Sequence, residues 1–381
     1  MRSDESNDPP ALYLSPFVRK TKQVIASIVS DKRYMLADEP GRSLANLEPG
    51  GLLTAATMKS LAPFIEELLA NGWLFTDRHS MFRSYRLRYV SLETNTQCNQ
   101  RCFFCPVSEH LRPDHTMSDA LLESVLCEME TQPDLAGVFL NNYNEPFLDK
   151  RAGSIISRLH ARNIKVAVNS NGTVPLKSIK PELTKGSIFL LTFNIHTADR
   201  EKYRRERGRD HLTLVLRNIA DYARAGVAQT TRVAVLGDLS DAHEQEFEAI
   251  RQAFKDVPVT FEKYRLMDRA GNLMADVSGA VDRDILWGCE QTGSRPLEHL
   301  HILPDGRCVL CCEDYYETHV VGDVSRQSFH EVMSGDEMAR YRRTIYGFDR
   351  PDENFMCRHC EFSIPGHRLR GCAVSPGPTP R

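Results

Sequence analysis

The reading turns on "RYVSLETNTQCNQRCFFC", residues 88–105. It opens as an apolar, β-leaning run. It ends in three cysteines, Cys98, Cys102 and Cys105, separated by three and then two residues. A strand that runs into such a loop puts reactive thiols at a strand end. Three thiols at these spacings do not complete a structural zinc site, which takes four protein ligands, often from paired CxxC units. Cys127 or a histidine such as His110 would have to supply the fourth. A four-iron cube held by three thiolates instead leaves one iron open to a substrate or cosubstrate.

Working outward from this loop, the chain alternates. "DALLESVLCEME", "KRAGSIISRLHARN", "HLTLVLRNIADYARAG" and "DAHEQEFEAIRQAFKDV" have helical periodicity, with Gly226 as a C-terminal stop. "AGVFLNNYNEP", "IKVAVNSNGT", "SIFLLTFNIHT", "TTRVAVLGD" and "VTFEKYRLM" read as strands. Such alternation predicts an α/β fold on a parallel sheet. Six units over residues 85–267 suit a partial (β/α)6, TIM-like barrel. Polar clusters follow the apolar part of each strand, where barrel enzymes carry their chemistry. Cys127, alone in a helix, reads as a small core residue. The mixed charges of "DREKYRRERGRD" read as a solvated helix face with its own ion pairs.

The flanks differ. Residues 1 to about 15 read as disordered, followed by a helical segment near Thr21–Ser30, two short extended pieces around Pro40 and Gly41, and helices ending at Gly72. Residues 1–84 thus form a winged-helix-like module, either a recognition element or a cap on the barrel. Residues 268–372 are short-helical and cysteine-dense, and 373–381 read as a disordered tail.

Bulk numbers narrow the class. The 381 residues are 41% hydrophobic and 26% charged, as in soluble globular proteins. The net charge of −3 gives no global attraction to nucleic acid or to anionic membrane. No apolar run has the length of a membrane span, and the N-terminus has no signal core, so a cytoplasmic location is expected. Eleven cysteines in a reducing compartment point to metal or redox chemistry.

A second cysteine group lies near the C-terminus. "ILPDGRCVLCC" reads as a hairpin about a Pro-Asp-Gly turn. Cys289, Cys311, Cys357 and Cys360 are placed to meet at one end of it. Four cysteines hold either zinc or an iron–sulfur cluster, and composition does not decide between them.

The Cys98–Cys102–Cys105 spacing, with Phe104 before the last cysteine, resembles the radical S-adenosylmethionine (radical SAM) superfamily. The resemblance implies a 4Fe-4S cluster on these three cysteines, whose open iron chelates S-adenosylmethionine. One-electron reduction then yields a 5'-deoxyadenosyl radical that abstracts a hydrogen atom from the substrate. Phe104 would line the adenine. "NNYNEP" resembles the family's glycine-glutamate-proline segment and makes Glu145 the partner of the cofactor's amino group, with Asn144 where glycine is common. Ser170 in "NSNGT" and Asn194 in "NIHT" would lie near the cofactor. Arg232 would pair with its carboxylate, and Val235 and Leu236 would flank adenine.

Gly306 with Cys311, "CEDY", "GDV" and the late CxxC of Cys357 and Cys360 resemble a SPASM or twitch extension, which carries auxiliary clusters. "DRAGN", residues 268–272, is also typical of this subgroup. The seven-cysteine SPASM pattern expects a cysteine where Gly366 stands, so one auxiliary 4Fe-4S cluster is the supported count. Cys308, Cys312 and Cys372 remain for a second cluster or for structure.

The implied protein is an oxidoreductase fed by an electron donor such as flavodoxin or ferredoxin. Its expected substrate is a ribosomally made peptide, with a small-molecule alcohol or sugar as the alternative. A non-catalytic metal-cluster protein, an RNA binder among them, is the alternative class, and the absence of a basic aromatic patch argues against RNA.

Overall fold

The computed structural model describes residues 11–370 except 180–181, 274–280 and 292–293. The cysteine-bearing stretch begins in a strand, Tyr89–Leu92, that sits inside a nine-stranded sheet.

The N-terminal part comes first in the chain. Strand β1 (Tyr13–Leu14) precedes an antiparallel sheet of β2 (Val18–Lys20), β3 (Val24–Ser27) and β4 (Arg33–Met35), with β3 central. Helices α1 (Gly41–Ala45), α2 (Ala55–Leu61) and α3 (Ile65–Ala70) follow. Strand β5 (Leu74–Phe75) then returns to pair with β1. Leu14, Leu44, Leu61, Leu68 and Trp73 form a separate small core. Two expectations are corrected here. The segment expected as a helix near Thr21–Ser30 is strand, so the sheet precedes the helices. Leu12 and Leu14, expected in a disordered leader, are buried, while residues 1–10 lie outside the described residues.

The barrel strands are β6 (Tyr89–Leu92), β7 (Gly137–Phe139), β8 (Lys165–Ser170), β9 (Ile188–Ile195), β10 (Ala228–Gly237) and β11 (Thr260–Arg265). They pair in parallel in sequence order. The layer packed on them contains α4 (Asp119–Thr131), α5 (Ala152–Ala161), α6 (Arg200–Arg207), α7 (Leu212–Ala225) and α8 (Asp241–Ala253). Helix α4 starts where the Ser118 hydroxyl accepts from Leu121 N at 3.2 Å, satisfying one of the free N–H groups of the first turn. It buries Leu122, Val125, Leu126 and Met129, which helical spacing places on one face. Helix α7 stops at Gly226, whose φ of 61° is left-handed.

Strands alternate their faces. Val90, Val138, Val168, Phe193 and Val233 point to the helix layer and belong to the main core. Each such side chain contributes about 1.5–3 kcal/mol when fully buried. Their neighbours Ser91, Phe139, Asn169, Asn194 and Arg232 line a cavity on the other face.

The C-terminal part contains β12 (Leu286–Cys289), α9 (Arg295–Glu298), β13 (His299–Ile302), β14 (Arg307–Val309), β15 (Val320–Asp323), α10 (Phe329–Met333), α11 (Asp336–Ile345), α12 (Met356–His359) and β16 (Ser363–Pro365). The expected hairpin is β13–β14, turned through Gly306 at φ 94°. Strand β13 also pairs in parallel with β6, so β13, β14 and β15 continue the barrel sheet past its first strand. This fixes the C-terminal cysteines relative to the Cys98 loop.

No helix among the described residues is long and apolar enough to cross a membrane. One cysteine departs from expectation, and another takes one of its two expected roles. Cys127 is exposed on α4, where Arg158 donates to its sulfur at 3.3 Å. Cys308 is fully buried in the main core, which gives it a packing role. Cys372 and the tail lie outside the described residues.

Candidate active site

A cavity of about 450 Å³ opens at the C-terminal ends of the barrel strands. Cys98, Cys102 and Cys105 lie on one wall of it. Burial pushes the Cys98 thiol up to about 12 and Cys105 to about 11, and raises Cys102 as well. The charges of neighbouring cysteines add to the rise at Cys98 and Cys105. Such thiols stay protonated at neutral pH until a metal displaces the proton. N–H donors already meet two of the sulfurs, from Asn171 Nδ2 to Cys98 Sγ at 3.8 Å and from Arg207 Nη1 to Cys102 Sγ at 3.6 Å. Among the described residues, no three His, Cys, Asp or Glu side chains converge on a point that one metal ion would fill.

Glu145 faces the same cavity and is 1% exposed. Its Oε1 accepts from the Ser170 hydroxyl at 2.9 Å and from Phe147 N at 3.2 Å. Its Oε2 accepts from Asn171 N at 2.6 Å. Burial outweighs these three bonds and lifts the carboxyl to about 7. Ser170 also accepts from Gly172 N at 3.0 Å, so its hydroxyl braces both Glu145 and the turn.

Phe104, Asn194, Arg232 and Leu236 line the cavity too. Arg232 is already engaged by Glu262 at 2.8 Å and by the Tyr264 hydroxyl at 2.9 Å, both on the neighbouring strand. Val235, expected beside Leu236, points instead into the helix-side core.

The second cysteine group reaches the cavity through its neighbour Cys312, which lines it. Burial raises the Cys357 thiol well above its ordinary value and pushes Cys360 up to about 12, and the neighbouring Cys289 adds to both rises. Cys311 is hydrogen-bonded to Cys312, which raises the former thiol and lowers the latter. Of this neighbouring pair, Cys312 lines the cavity.

Between the two groups lie residues that the sequence did not single out. Arg269, Arg295 and Glu313 all line the cavity. Arg269 stands 3.5 Å from Glu313 Oε1, and Glu313 Oε2 is buried without a hydrogen-bond partner among the described residues. Arg269, Ala270 and Gly271 are consecutive left-handed residues, with φ of 56°, 57° and 80°. Non-glycine residues in that region cost about 1–3 kcal/mol each. The "DRAGN" segment was the available signal, but sequence does not say that its arginine turns inward. Arg207, from the run read as a solvated face, is 1% exposed against Cys102.

Residues 92–250 match the radical SAM superfamily, and residues 289–361 match an iron–sulfur cluster-binding domain, SPASM. A probable GTP 3',8-cyclase of Pyrococcus abyssi is 24% identical over 166 residues, 44% of this chain. The chain spans 53% of that relative's length. An S-adenosyl-L-methionine-dependent 2-deoxy-scyllo-inosamine dehydrogenase of Niallia circulans is 20% identical over 274 residues, covering 71% of this chain and 91% of the relative. Among solved structures, Streptococcus suis SuiB bound to precursor peptide SuiA superposes with a TM-score of 0.58 at 11% identity. That match covers 92% of this chain and 93% of SuiB and concerns the fold alone. The alternation of strands, the three-cysteine wall and both matched regions agree: the chain belongs to the radical SAM superfamily and carries a C-terminal SPASM iron–sulfur domain.

Proposed function

We propose that this enzyme is an oxidoreductase that modifies a ribosomally made peptide by hydrogen-atom abstraction. When bound, a 4Fe-4S cluster with S-adenosylmethionine supplies one-electron cleavage of the sulfonium and a 5'-deoxyadenosyl radical. The residues present fit that group: three sulfurs line one cavity, and two of them are met by N–H donors. Cys98, Cys102 and Cys105 would hold the cluster. Glu145 would accept from the cofactor's ammonium, Phe104 and Leu236 would pack on adenine, and Asn194 would offer a polar contact. Cys289, Cys311, Cys357 and Cys360 would hold one auxiliary cluster, which takes an electron from the substrate radical or binds substrate. The barrel wall and the C-terminal part would exclude water that otherwise quenches a radical.

The peptide reading rests on the N-terminal module. Its three-stranded sheet leaves β4 as an edge, with Met35 49% exposed. An edge strand accepts an extended peptide through main-chain hydrogen bonds. The peptide-bound SuiB structure, which matches most of this chain including that module, supports this reading. Residues 1–84 would then grip a leader and present the following segment to the cavity.

The small-alcohol reading has its own support: the cavity's modest volume and the dehydrogenase named above. One experiment separates them. The full chain, reconstituted without oxygen, is given S-adenosylmethionine, reductant and a short peptide encoded beside its gene. A peptide mass change that accompanies 5'-deoxyadenosine release supports peptide modification. Turnover of an aminocyclitol or sugar alcohol, with every candidate peptide unchanged, supports the alternative.

A further inference from the structure

Arg207 ends α6 within a stretch of mostly exposed charges, yet its own side chain is 1% exposed. Burying a guanidinium costs several kcal/mol unless its donors and its charge are met. The donors are met. Nε donates to His196 Nδ1 at 3.1 Å and Nη2 to the Asn194 carbonyl at 2.8 Å. Nη1 donates to Gln100 Oε1 at 3.1 Å and to Cys102 Sγ at 3.6 Å. The guanidinium also lies 5.0 Å from the Phe104 ring centre and 5.6 Å from that of Tyr203. None of these hydrogen-bond partners is a carboxylate. Once Cys102 is a cluster ligand, its thiolate sulfur, 3.6 Å from Nη1, would supply the counter-charge.

We propose that Arg207 sets the reduction potential of the cluster held by Cys98, Cys102 and Cys105, through its charge and its N–H···S bond to Cys102. The proposal rests on reading those three cysteines as the cluster's ligands. Reduction adds one electron to the cluster from an external one-electron donor, and Arg207 itself neither gains nor loses one. A fixed positive charge beside a ligand sulfur favours the more negative, reduced form and raises the potential, and hydrogen bonds to sulfur act in the same direction. Asn171 offers Cys98 a longer, neutral bond, so Arg207 is the stronger of the two. The side chain can be changed without releasing the loop. Two backbone bonds, Arg101 N to the Arg207 carbonyl and Phe103 N to the Glu206 carbonyl, both 3.0 Å, tie α6 to the cysteine loop.

The test is a redox titration of the reconstituted full chain with titanium(III) citrate, read by the paramagnetic signal of the reduced cluster. Wild type is compared with R207Q, R207K and Q100E. R207Q is expected to bind as much iron as wild type. Its ratio of reduced to oxidised cluster at a fixed donor potential is expected to fall tenfold, about 59 mV for a one-electron couple. Q100E places a carboxylate against Nη1 and cancels the charge without removing the arginine, so it shifts the same way. It decides the matter alone if R207Q does not fold. R207K keeps the charge and stays nearer to wild type. Unmoved midpoints in R207Q and Q100E overturn the proposal, as does an R207K shift equal to that of R207Q, which would indicate packing instead of charge. A wild-type chain with no reducible cluster overturns the three-cysteine reading, and this proposal with it.

Discussion

Arg112 closes on Glu93 in a two-pronged ion pair, Nη2 to Oε1 at 2.6 Å and Nη1 to Oε2 at 2.9 Å, with the Glu93 side chain fully buried. Tyr143 N donates to the same carboxylate at 3.0 Å, and Arg112 also reaches Glu317 at 3.2 Å. One arginine therefore joins the end of β6, the loop after the cysteines and the C-terminal domain. R112M leaves a buried carboxylate without its counter-charge, at an expected cost of about 3–5 kcal/mol. Denaturant unfolding measures this. The double variant R112M/E93Q should recover most of the loss, because the amide oxygen can still accept from Tyr143 N. Equal losses in the single and double variants would show that charge pairing is not the cause.

Glu145 gives a pH-dependent prediction. Its carboxyl has an ordinary value of 4.5 and is lifted to about 7 in the folded chain by burial. Its stabilising contribution is complete below pH 4.5 and is lost as pH rises through about 7, because the folded chain must then ionise a buried acid. E145Q should therefore stabilise the cofactor-free protein at pH 8, by at most about 3 kcal/mol, and much less at pH 5. The same change should weaken S-adenosylmethionine binding, since a neutral amide attracts an ammonium less. Thermal unfolding at the two pH values, with calorimetric binding, checks both. A destabilised E145Q at pH 8 would reverse the sign argued here.

Binding at the β4 edge can be tested by one proline. Leu36 N bonds inward to the Gln23 carbonyl, so alternation turns Met35 N outward. M35P removes a donor from the free edge without breaking a β3–β4 bond. Leader-peptide affinity should fall at least tenfold by fluorescence anisotropy, while peptide-independent release of 5'-deoxyadenosine stays unchanged. Unaltered affinity would move the peptide site off β4.

Much of this architecture was legible in the sequence, for physical reasons. β-Branched runs such as "VAV" and "TTRVAVLG" alternate with amphipathic helices, and local periodicity carries that signal. The Cys98 loop and Glu145 were legible because spacing and neighbouring residues mark them. Other features depend on long-range contacts. "QVIASIV" has apolar residues compatible with helix or strand, and pairing of β3 with β2 and β4 decides for strand. The pairing of His299 with Tyr89 across the sheet leaves no local trace. Arg207 looks like its exposed neighbours, and only the turn of α6 brings it inward. Cys127 is exposed and Cys308 is buried because burial depends on which helix face and which strand face meet the core.

Iron content can distinguish the two cysteine groups. The intact chain should bind about eight irons if one auxiliary cluster joins the catalytic one. C98A should lose about half and abolish S-adenosylmethionine cleavage, while C357A/C360A should lose the other half and keep cleavage. C127S should change neither quantity. Loss of both clusters in C98A would mean that the two sites fold as one unit, contrary to this account.

The most direct measurement is electron paramagnetic resonance of the reduced, oxygen-free C357A/C360A variant, recorded with and without S-adenosylmethionine. The account predicts a cluster signal that changes on adding the nucleotide and disappears when C98A is introduced. A signal indifferent to S-adenosylmethionine, or one that survives C98A, would contradict the assignment of Cys98, Cys102 and Cys105 as the site where the cofactor is cleaved.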